Sequence, residues 1–370
     1  MKIFSEKIEE KEKHGFTDLA VLVSLIVIIA AGVMFYGAQT NADSFSGYLT
    51  VNYTGVLFGA PALVFYLGMK LSQSEKNKCL LCSGGRIYVK AWLLNILRGT
   101  LPCIIIWIIT RRKMFLSSAL INIFKVELFH FAALSLVLVY VLKKLKLNNV
   151  AIFAVALILS LAGSFLRLAD IKNVPLAFLL SHFIGTDNPE TAKSFVLINW
   201  FIFAASGALF GDILKRRKNK KLFMLSVFFV SSVFVIIYTL VRVPEGLGMF
   251  AELKFFFQMN LLDALCCICG ALMLLSGCFF VFKILPGFIK SFAEKCGKHA
   301  AALYFAQSTL TMWFAKILLA DILCVSLPGL VSALLVAVIF ALSYFALGAL
   351  SLLDRKTEKI IEKIIDRKDN

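Results

Sequence analysis

Long apolar runs separated by short polar or basic segments dominate the chain. A bilayer core about 30 Å thick is crossed by roughly 20 apolar residues in a helix. Within lipid every backbone N–H and C=O must be paired, which leaves α-helices or closed barrels. The runs lack the alternation of barrel strands, so the pattern predicts an all-α, polytopic integral membrane protein. About ten transmembrane helices are predicted, at 16–36, 53–71, 89–109, 121–142, 150–168, 195–214, 222–241, 259–285, 300–319 and 327–353.

Composition supports this fold class. Of the 370 residues, 60% are hydrophobic and only 16% are charged, and 35 are phenylalanine. A soluble domain carries about 25% charged residues. Lipid, rather than one large soluble core, therefore accounts for the apolar excess.

The basic residues predict the orientation of the helices. With the N-terminus placed in the cytoplasm, the inner segments hold 28 of the 39 basic residues. Those inner segments are 1–16, 70–90, 143–146, 215–221, 283–298 and 354–370. Because short cytoplasmic loops are enriched in Lys and Arg, both termini are expected in the cytoplasm. The net charge of +17 is then explained by topology and by attraction to anionic lipid, not by nucleic acid. A multi-pass protein of the inner cell membrane is expected.

One transmembrane domain, 1–353, followed by a cytosolic amphipathic tail, 354–370, is the predicted organisation. Isoleucines recur along one stripe of the tail, as in helices that lie on a membrane surface. The apolar segment 173–184 is too short to span and is expected at the interface or as a re-entrant turn. Small residues at Gly207 and Gly211 predict a close helix approach.

Ionisable residues within the apolar runs are costly to bury and are candidates for chemistry. Glu127 and His130 are three residues apart, on one helix face, and Arg98 lies near the middle of the third span. Glu127 could orient His130, which would act as a general base, while Arg98 holds an anionic group. The alternative is a buried ion pair between Arg98 and Glu127 with His130 hydrogen-bonded beside it. His182 lies in the segment between spans five and six.

Other polar residues suggest less. No second Glu-x-x-His accompanies Glu127 and His130, so neither a di-iron centre nor another metal site is expected. Tyr304 and Gln307, in the ninth span, are expected to find hydrogen-bond partners on neighbouring helices.

Four stretches resemble the heparan-α-glucosaminide N-acetyltransferase-like proteins, which are related to acyltransferase family 3. Stretch 47–70 resembles their second-helix region, and Glu127-Leu-Phe-His130-Phe-Ala-Ala-Leu-Ser resembles a segment with an acidic start. Stretch 199–211 is similar to their "Pro-Trp-x-x-Phe-x-x-x-Gly-x-x-x-Gly" helix, and 298–307 to "Gly-Arg-x-Ser-Leu-x-x-Tyr-x-x-His".

The resemblance implies acyl transfer at the membrane, with cytosolic acyl-CoA as donor and a sugar amine or hydroxyl as acceptor on the other side. It also implicates Asp18, which matches the acidic residue that opens the family's first helix. The Arg-Gly that follows in the family is absent, residues 37–52 contain no His, and Gln307 stands where the family has a ninth-span His.

The leading expectation is therefore a membrane acyltransferase that moves an acyl group from acyl-CoA to a cell-envelope saccharide or lipid. His130 or His182 would replace the missing base. A transporter or flippase for a lipid-linked or amphipathic substrate, and a catalytically inactive family member, are the alternatives.

Overall fold

The computed structural model describes residues 2–37, 53–71, 77–166, 171–186, 188, 191, 194–242, 256–323, 325 and 327–366. These residues form mainly α-helices, with π-helical turns that include residues 53–55 and two longer segments, and no strand is found among them. The helices are α1 (Lys2–Gly37), α2 (Val56–Phe58), α3 (Ala60–Leu71), α4 (Asn77–Asn95), α5 (Leu101–Thr110), α6 (Lys113–Phe124), α7 (Leu128–Lys144), α8 (Asn149–Leu166), α9 (Val174–Leu180), α10 (Leu197–Arg216), α11 (Lys220–Arg242), α12 (Leu261–Ile284), α13 (Gly287–Lys298), α14 (Ala300–Thr311) and α15 (Gly329–Asp366). The two longer π-helical segments are π1 (Ile96–Thr100) and π2 (Met312–Ile322).

Eight helical stretches in this part of the chain are long and apolar enough to cross a membrane. They are Gly15–Tyr36, Ser83–Thr110, Lys113–Lys144, Asn149–Leu166, Leu197–Arg216, Lys220–Arg242, Leu261–Ile284 and Gly329–Leu350. Each overlaps one predicted span, and the fold is that of an all-α, multi-pass membrane protein. The predicted second and ninth spans correspond to α2–α3 and to α14–π2.

Burial separates central from peripheral helices. About two thirds (67%) of the apolar window of α10 is buried, against 22% for α8, α11 and α15. Large side chains on the peripheral helices are open to the surroundings, for example Val230 at 71% and Phe345 at 79% exposure. Single exposed apolar residues are ordinary on a soluble protein, whereas whole apolar helix faces are not. Lipid is the environment that suits these faces.

Two predicted spans are wrong in their continuity. The second is interrupted at Gly59, where a Cβ atom would lie 2.3 Å from the carbonyl oxygen of Gly55. The fourth, predicted as one helix over 121–142, breaks between α6 and α7 because Lys125 and Glu127 adopt extended backbone conformations. Segment 173–184 contains only the seven residues of α9, about 10 Å of helix, which cannot span a bilayer.

The contacts of helix α1 define the two ends of the helical bundle. Near the start of the membrane-spanning part of α1, Gly15–Tyr36, Asp18 pairs with Lys70 at the end of α3, and Gly15 lies against Phe282 at the end of α12. Near its other end, Gly32 lies against Thr311 at the end of α14. We call these the Asp18 end and the Tyr36 end of the bundle.

Close backbone approach holds α3 against α10. A Cβ atom on Gly207 would lie 1.9 Å from the carbonyl oxygen of Phe65, and one on Gly68 would lie 2.0 Å from that of Ala204. No side chain fits at either position, which confirms the close approach predicted at Gly207.

Helix α15 runs without interruption from Gly329 to Asp366, through the predicted boundary between domain and tail at 353 and 354. The isoleucine stripe predicted on the tail lies outside the described side chains.

Candidate functional site

Arg98 lies on π1, and the local sequence explains why the helix widens there. The N–H of Leu101 donates to the carbonyl oxygen of Ile96, five residues back, and Pro102, next in the chain, has no N–H. A π-bulge of this kind is often found at functional sites. From π1 the Arg98 guanidinium donates a hydrogen bond to the carboxylate of Glu127, the residue just before α7.

Glu127 occupies the break between α6 and α7. Its neighbouring carbonyl groups are satisfied from other helices: the Asn95 side chain donates to the carbonyl oxygens of Ile123 at 3.0 Å and Lys125 at 2.7 Å. The N–H of Phe195 donates to the carbonyl oxygen of Val126 at 3.4 Å. Irregular backbone among membrane helices is tolerated where protein pairs its polar groups in this way.

The Glu127 carboxylate also accepts the backbone N–H of His130, while Nδ1 of His130 accepts the N–H of Glu127 at 3.2 Å. This reciprocal pair is a capping box at the start of α7. A neutral imidazole has one acceptor nitrogen, and here the backbone uses it. The geometry is that of the ion pair with His130 beside it, and not of a carboxylate orienting a free base.

His182 has the opposite arrangement. Its Nδ1 lies 3.1 Å from the carbonyl oxygen of Phe178, which can only accept, so Nδ1 carries the hydrogen. The other ring nitrogen, Nε2, keeps its lone pair and lies 3.5 Å from the Tyr88 hydroxyl. Burial lowers the pKa of His182, partly offset by the carbonyl groups of Phe178 and Leu179, so the neutral form is favoured at pH 7.

The two histidines meet in one aromatic cluster. Ring centroids are 5.7 Å apart for His130 and His182, 5.3 Å for Tyr88 and His130, and 5.7 Å for Trp92 and His130. Tyr88 and Trp92, one turn apart on α4, were not predicted. Their sequence signal is ordinary for aromatics in a membrane helix, and only the folded chain brings Tyr88 to His182, 94 positions later.

Tyr304 and Gln307 face the same interior from α14. The Tyr304 and Phe129 rings are 5.1 Å apart, and Tyr304 lies within electrostatic reach of Arg98 and Glu127. Gln307, one turn on, is 1% exposed, and neither atom of its amide has a hydrogen-bond partner among the described residues. The prediction that Gln307 forms a hydrogen bond to a neighbouring helix is therefore wrong for the described residues.

Asp18 is not brought to this cluster. It accepts a hydrogen bond of 3.1 Å from Lys70, which also donates to the carbonyl oxygen of Gly297 at 3.0 Å. Tyr36, near Arg98, lies 18 residues further along α1, a rise of about 27 Å. Asp18 therefore ties together α1, α3 and α13 at one end of the bundle, and its role in chemistry stays a prediction.

Two other acids have structural partners. Asp263, in the first turn of α12, accepts a hydrogen bond from the Tyr238 hydroxyl. Asp212 accepts one from the Asn149 side chain at the start of α8. Within the described ranges, no three His, Cys, Asp or Glu side chains come together as metal ligands.

Comparison with family models, with curated proteins and with solved structures finds no match to this chain.

Proposed function

We propose that the chain is a membrane-embedded acyltransferase that moves an acyl group from cytosolic acyl-CoA to a cell-envelope saccharide or lipid. One observation carries the proposal: His182 is held by the Phe178 carbonyl group with its Nε2 lone pair directed to a hydroxyl, that of Tyr88. An imidazole so oriented is suited to take a proton from a hydroxyl or amine. The resemblance of four stretches to membrane acyltransferases favours the same chemistry.

In the proposed reaction, His182 is the general base. An acceptor O–H, in the place of the Tyr88 hydroxyl, would give its proton to Nε2 as its oxygen attacks the thioester carbonyl. A C–O bond forms and the C–S bond breaks. The CoA thiolate leaves and takes the proton from the imidazolium, which restores the neutral ring. The Arg98–Glu127 pair and His130 would hold the two irregular helices that frame the cluster.

The proposed orientation agrees with donor and acceptor on opposite sides of the membrane. The N–H of Leu197 donates to the carbonyl oxygen of His182 at 3.2 Å, so His182 lies where α10 begins. The basic run 215–221 follows the other end of α10, about 27 Å away along the helix. With that run in the cytoplasm, together with both termini, His182 would lie on the acceptor side of an inner-membrane protein with ten spans. Tyr88, which contacts His182, would then lie within the span Ser83–Thr110 and not in the inner segment predicted at 70–90.

The test is acyl transfer in proteoliposomes, followed as release of free CoA thiol. His182→Ala is expected to lower the rate about 100-fold or more, as for loss of a general base. His299→Ala, which removes a histidine outside the cluster, is the matched control and should keep the wild-type rate. Equal rates for His182→Ala and wild type would remove His182 as the base.

A second function, transport of an amphipathic or lipid-linked substrate, is favoured by a different observation. Two irregular segments, π1 and the α6–α7 break, meet at the partly buried Arg98–Glu127 pair. Interrupted membrane helices with buried charges often form substrate sites in transporters. Substrate uptake by proteoliposomes that contain no acyl-CoA would select transport over transfer.

A further inference from the structure

Gln307 is unusual among the buried polar side chains because its whole amide lacks a partner. Both the Nε2 donor and the Oε1 acceptor are buried, and neither has a hydrogen-bond partner in the described part of the chain. Leaving a buried donor or acceptor unpaired costs free energy that folding alone does not return. A buried amide with both of its polar atoms unpaired is suited to bind a group that presents one donor and one acceptor.

The position of Gln307 shows which region such a ligand would occupy. Gln307 shares a face of α14 with Tyr304 and Thr311, three residues before it and four after it. Tyr304 contacts Phe129 of α7, and Thr311 lies against Gly32 of α1. Gln307 therefore lies on the face of α14 that packs towards α1 and α7, the face on which Tyr304 is within electrostatic reach of the Arg98–Glu127 pair.

Gln307 also lies between the two ends of the bundle. Gly297, just ahead of α14, is in contact with Asp18, whereas Thr311 lies near the Tyr36 end. The rise from Ala300 to Gln307 is seven residues, about 10 Å. Lys295 and Lys298 lie just before α14, at the end where an anionic headgroup would be attracted.

We propose that Gln307 binds an amide group of a substrate inside the bundle, with its side-chain N–H and C=O both paired to that group. An amide fits because it presents one donor and one acceptor, the complement of the two unpaired atoms. The proposal rests on the proposed function, in which two reactants carry amides. These are the pantetheine arm of the CoA donor and an N-acetylated sugar acceptor.

The placement favours the donor. A CoA molecule with its phosphates near Lys295 and Lys298 would extend its pantetheine arm along α14 towards the aromatic cluster. Gln307 lies on that course, before the level of His182, and would hold the arm so that the thioester faces the acceptor.

The test uses the full chain in detergent, with CoA and N-acetylglucosamine as separate probes, neither of which allows turnover. The midpoint of thermal unfolding is followed against probe concentration, because a ligand of the native state raises it. Gln307→Leu removes both unpaired atoms at similar volume. Gln307→Met, unbranched and adaptable, is the second variant if the leucine packs badly. Ser276→Ala, which removes an unpaired buried hydroxyl from α12, is the matched control.

CoA is expected to stabilise the wild type and Ser276→Ala at the same concentrations. Gln307→Leu should need about 10- to 100-fold more CoA. Its unliganded midpoint should equal or exceed that of the wild type, because no unpaired amide is left buried. The same dependence on Gln307 with N-acetylglucosamine instead of CoA would support the amide site and assign it to the acceptor.

Two results would overturn the proposal and leave the proposed function standing. One is an unchanged dependence on both CoA and N-acetylglucosamine in Gln307→Leu, with an unliganded midpoint at or above that of the wild type. The other is a lower unliganded midpoint in that variant with no change in either probe dependence, which would indicate a buried water only. If neither probe stabilises the wild type, the amide site and the acyltransferase proposal both fail.

Discussion

The indole N–H of Trp313, on π2, donates a hydrogen bond of 2.9 Å to the backbone carbonyl oxygen of Leu97, on π1. That carbonyl group is free for a local reason. The N–H of Leu101 is used by Ile96, and Pro102, five residues after Leu97, has none. Buried carbonyl groups are almost always paired, and here a side chain 216 positions away supplies the donor.

The Trp313 hydrogen bond should be worth most when Pro102 is present. Trp313→Phe is expected to lower the free energy of unfolding by about 1–3 kcal/mol, because it leaves the Leu97 carbonyl group unpaired. In a Pro102→Ala background, the new N–H can pair with Leu97, and the same substitution should cost less. Denaturant unfolding of the four proteins measures the coupling. Equal costs in both backgrounds would show that Pro102 does not create the vacancy.

Removing one partner of the Arg98–Glu127 pair should be worse than removing both. Glu127→Gln leaves the partly buried Arg98 guanidinium, whose side chain is 21% exposed, without its counter-ion, and about 1–3 kcal/mol of stability should be lost. Arg98→Met combined with Glu127→Gln should recover most of that loss, because no uncompensated charge remains. Glutamine keeps an oxygen at the start of α7, which limits the change to the charge. Additive losses in the double variant would contradict an ion pair.

His130 is expected to act as a cap and not as a base. His130→Gln keeps an acceptor that can reach the Glu127 N–H, as Gln does in a capping box, and should unfold like the wild type. His130→Leu loses that acceptor and should cost about 1 kcal/mol. Both variants should retain transferase activity if they fold, measured by CoA release. Loss of activity in a well-folded His130→Gln variant would indicate that His130 is the general base.

Gly207 and Gly277 offer a matched pair of substitutions. A Cβ atom on Gly207 would clash with the Phe65 carbonyl group, whereas one on Gly277 would meet nothing within 4 Å. Gly207→Ala should therefore destabilise the protein by about 1–3 kcal/mol or more, since α3 must move away from α10. Gly277→Ala should be neutral or stabilising by up to about 1 kcal/mol, because Ala is the better helix former. Similar midpoints for the two variants would argue against the close approach.

The lowered pKa of His182 predicts how stability depends on pH. In the unfolded chain His182 would bind a proton near pH 6.5, whereas burial in the fold opposes protonation. The stability that comes from the neutral ring is present above pH 6.5 and is lost as the pH falls towards the lower, folded pKa. The glutamine of His182→Gln does not titrate. The difference in free energy of unfolding between the wild type and this variant should therefore become smaller as the pH falls below 6.5. The acid limb of transferase activity should likewise lie below pH 6.5, and an activity loss centred above that value would contradict the neutral base.

Much of the fold could be predicted because lipid imposes a simple requirement on each helix separately. The runs that became α8, α10, α11 and α12 were recognisable from length and apolarity, and their bounds were predicted within a few residues. The break before Glu127 was not predictable in this way. Lys125 and Glu127 are charged, but a charge in an apolar run does not by itself predict an extended backbone. The carbonyl groups exposed at the break are acceptable because Asn95 and Phe195 pair with them.

The sequence indicated several residues of the candidate site but not how they are arranged. Arg98 and Glu127 are conspicuous because a charge in an apolar run is rare, and their pairing could be foreseen. The roles of the histidines could not, since the tautomer of each ring depends on a backbone group. For His182 the backbone group is the carbonyl group of Phe178, four residues earlier. For His130 it is the N–H of Glu127, at a helix break that the sequence does not predict.

By itself, the sequence determined that this chain is a multi-helix membrane protein and which ionisable residues lie within it, because the free energy of placing each segment in lipid depends mainly on that segment's own composition. Only the tertiary structure decided that Asp18 is remote from Arg98, and that the acceptor nitrogen of His182 faces a hydroxyl whereas that of His130 is used by the backbone. It also decided that the buried amide of Gln307 has no partner among the described residues. Hydrogen bonds between distant segments set these features, and their short range and directionality leave no trace in hydrophobic periodicity.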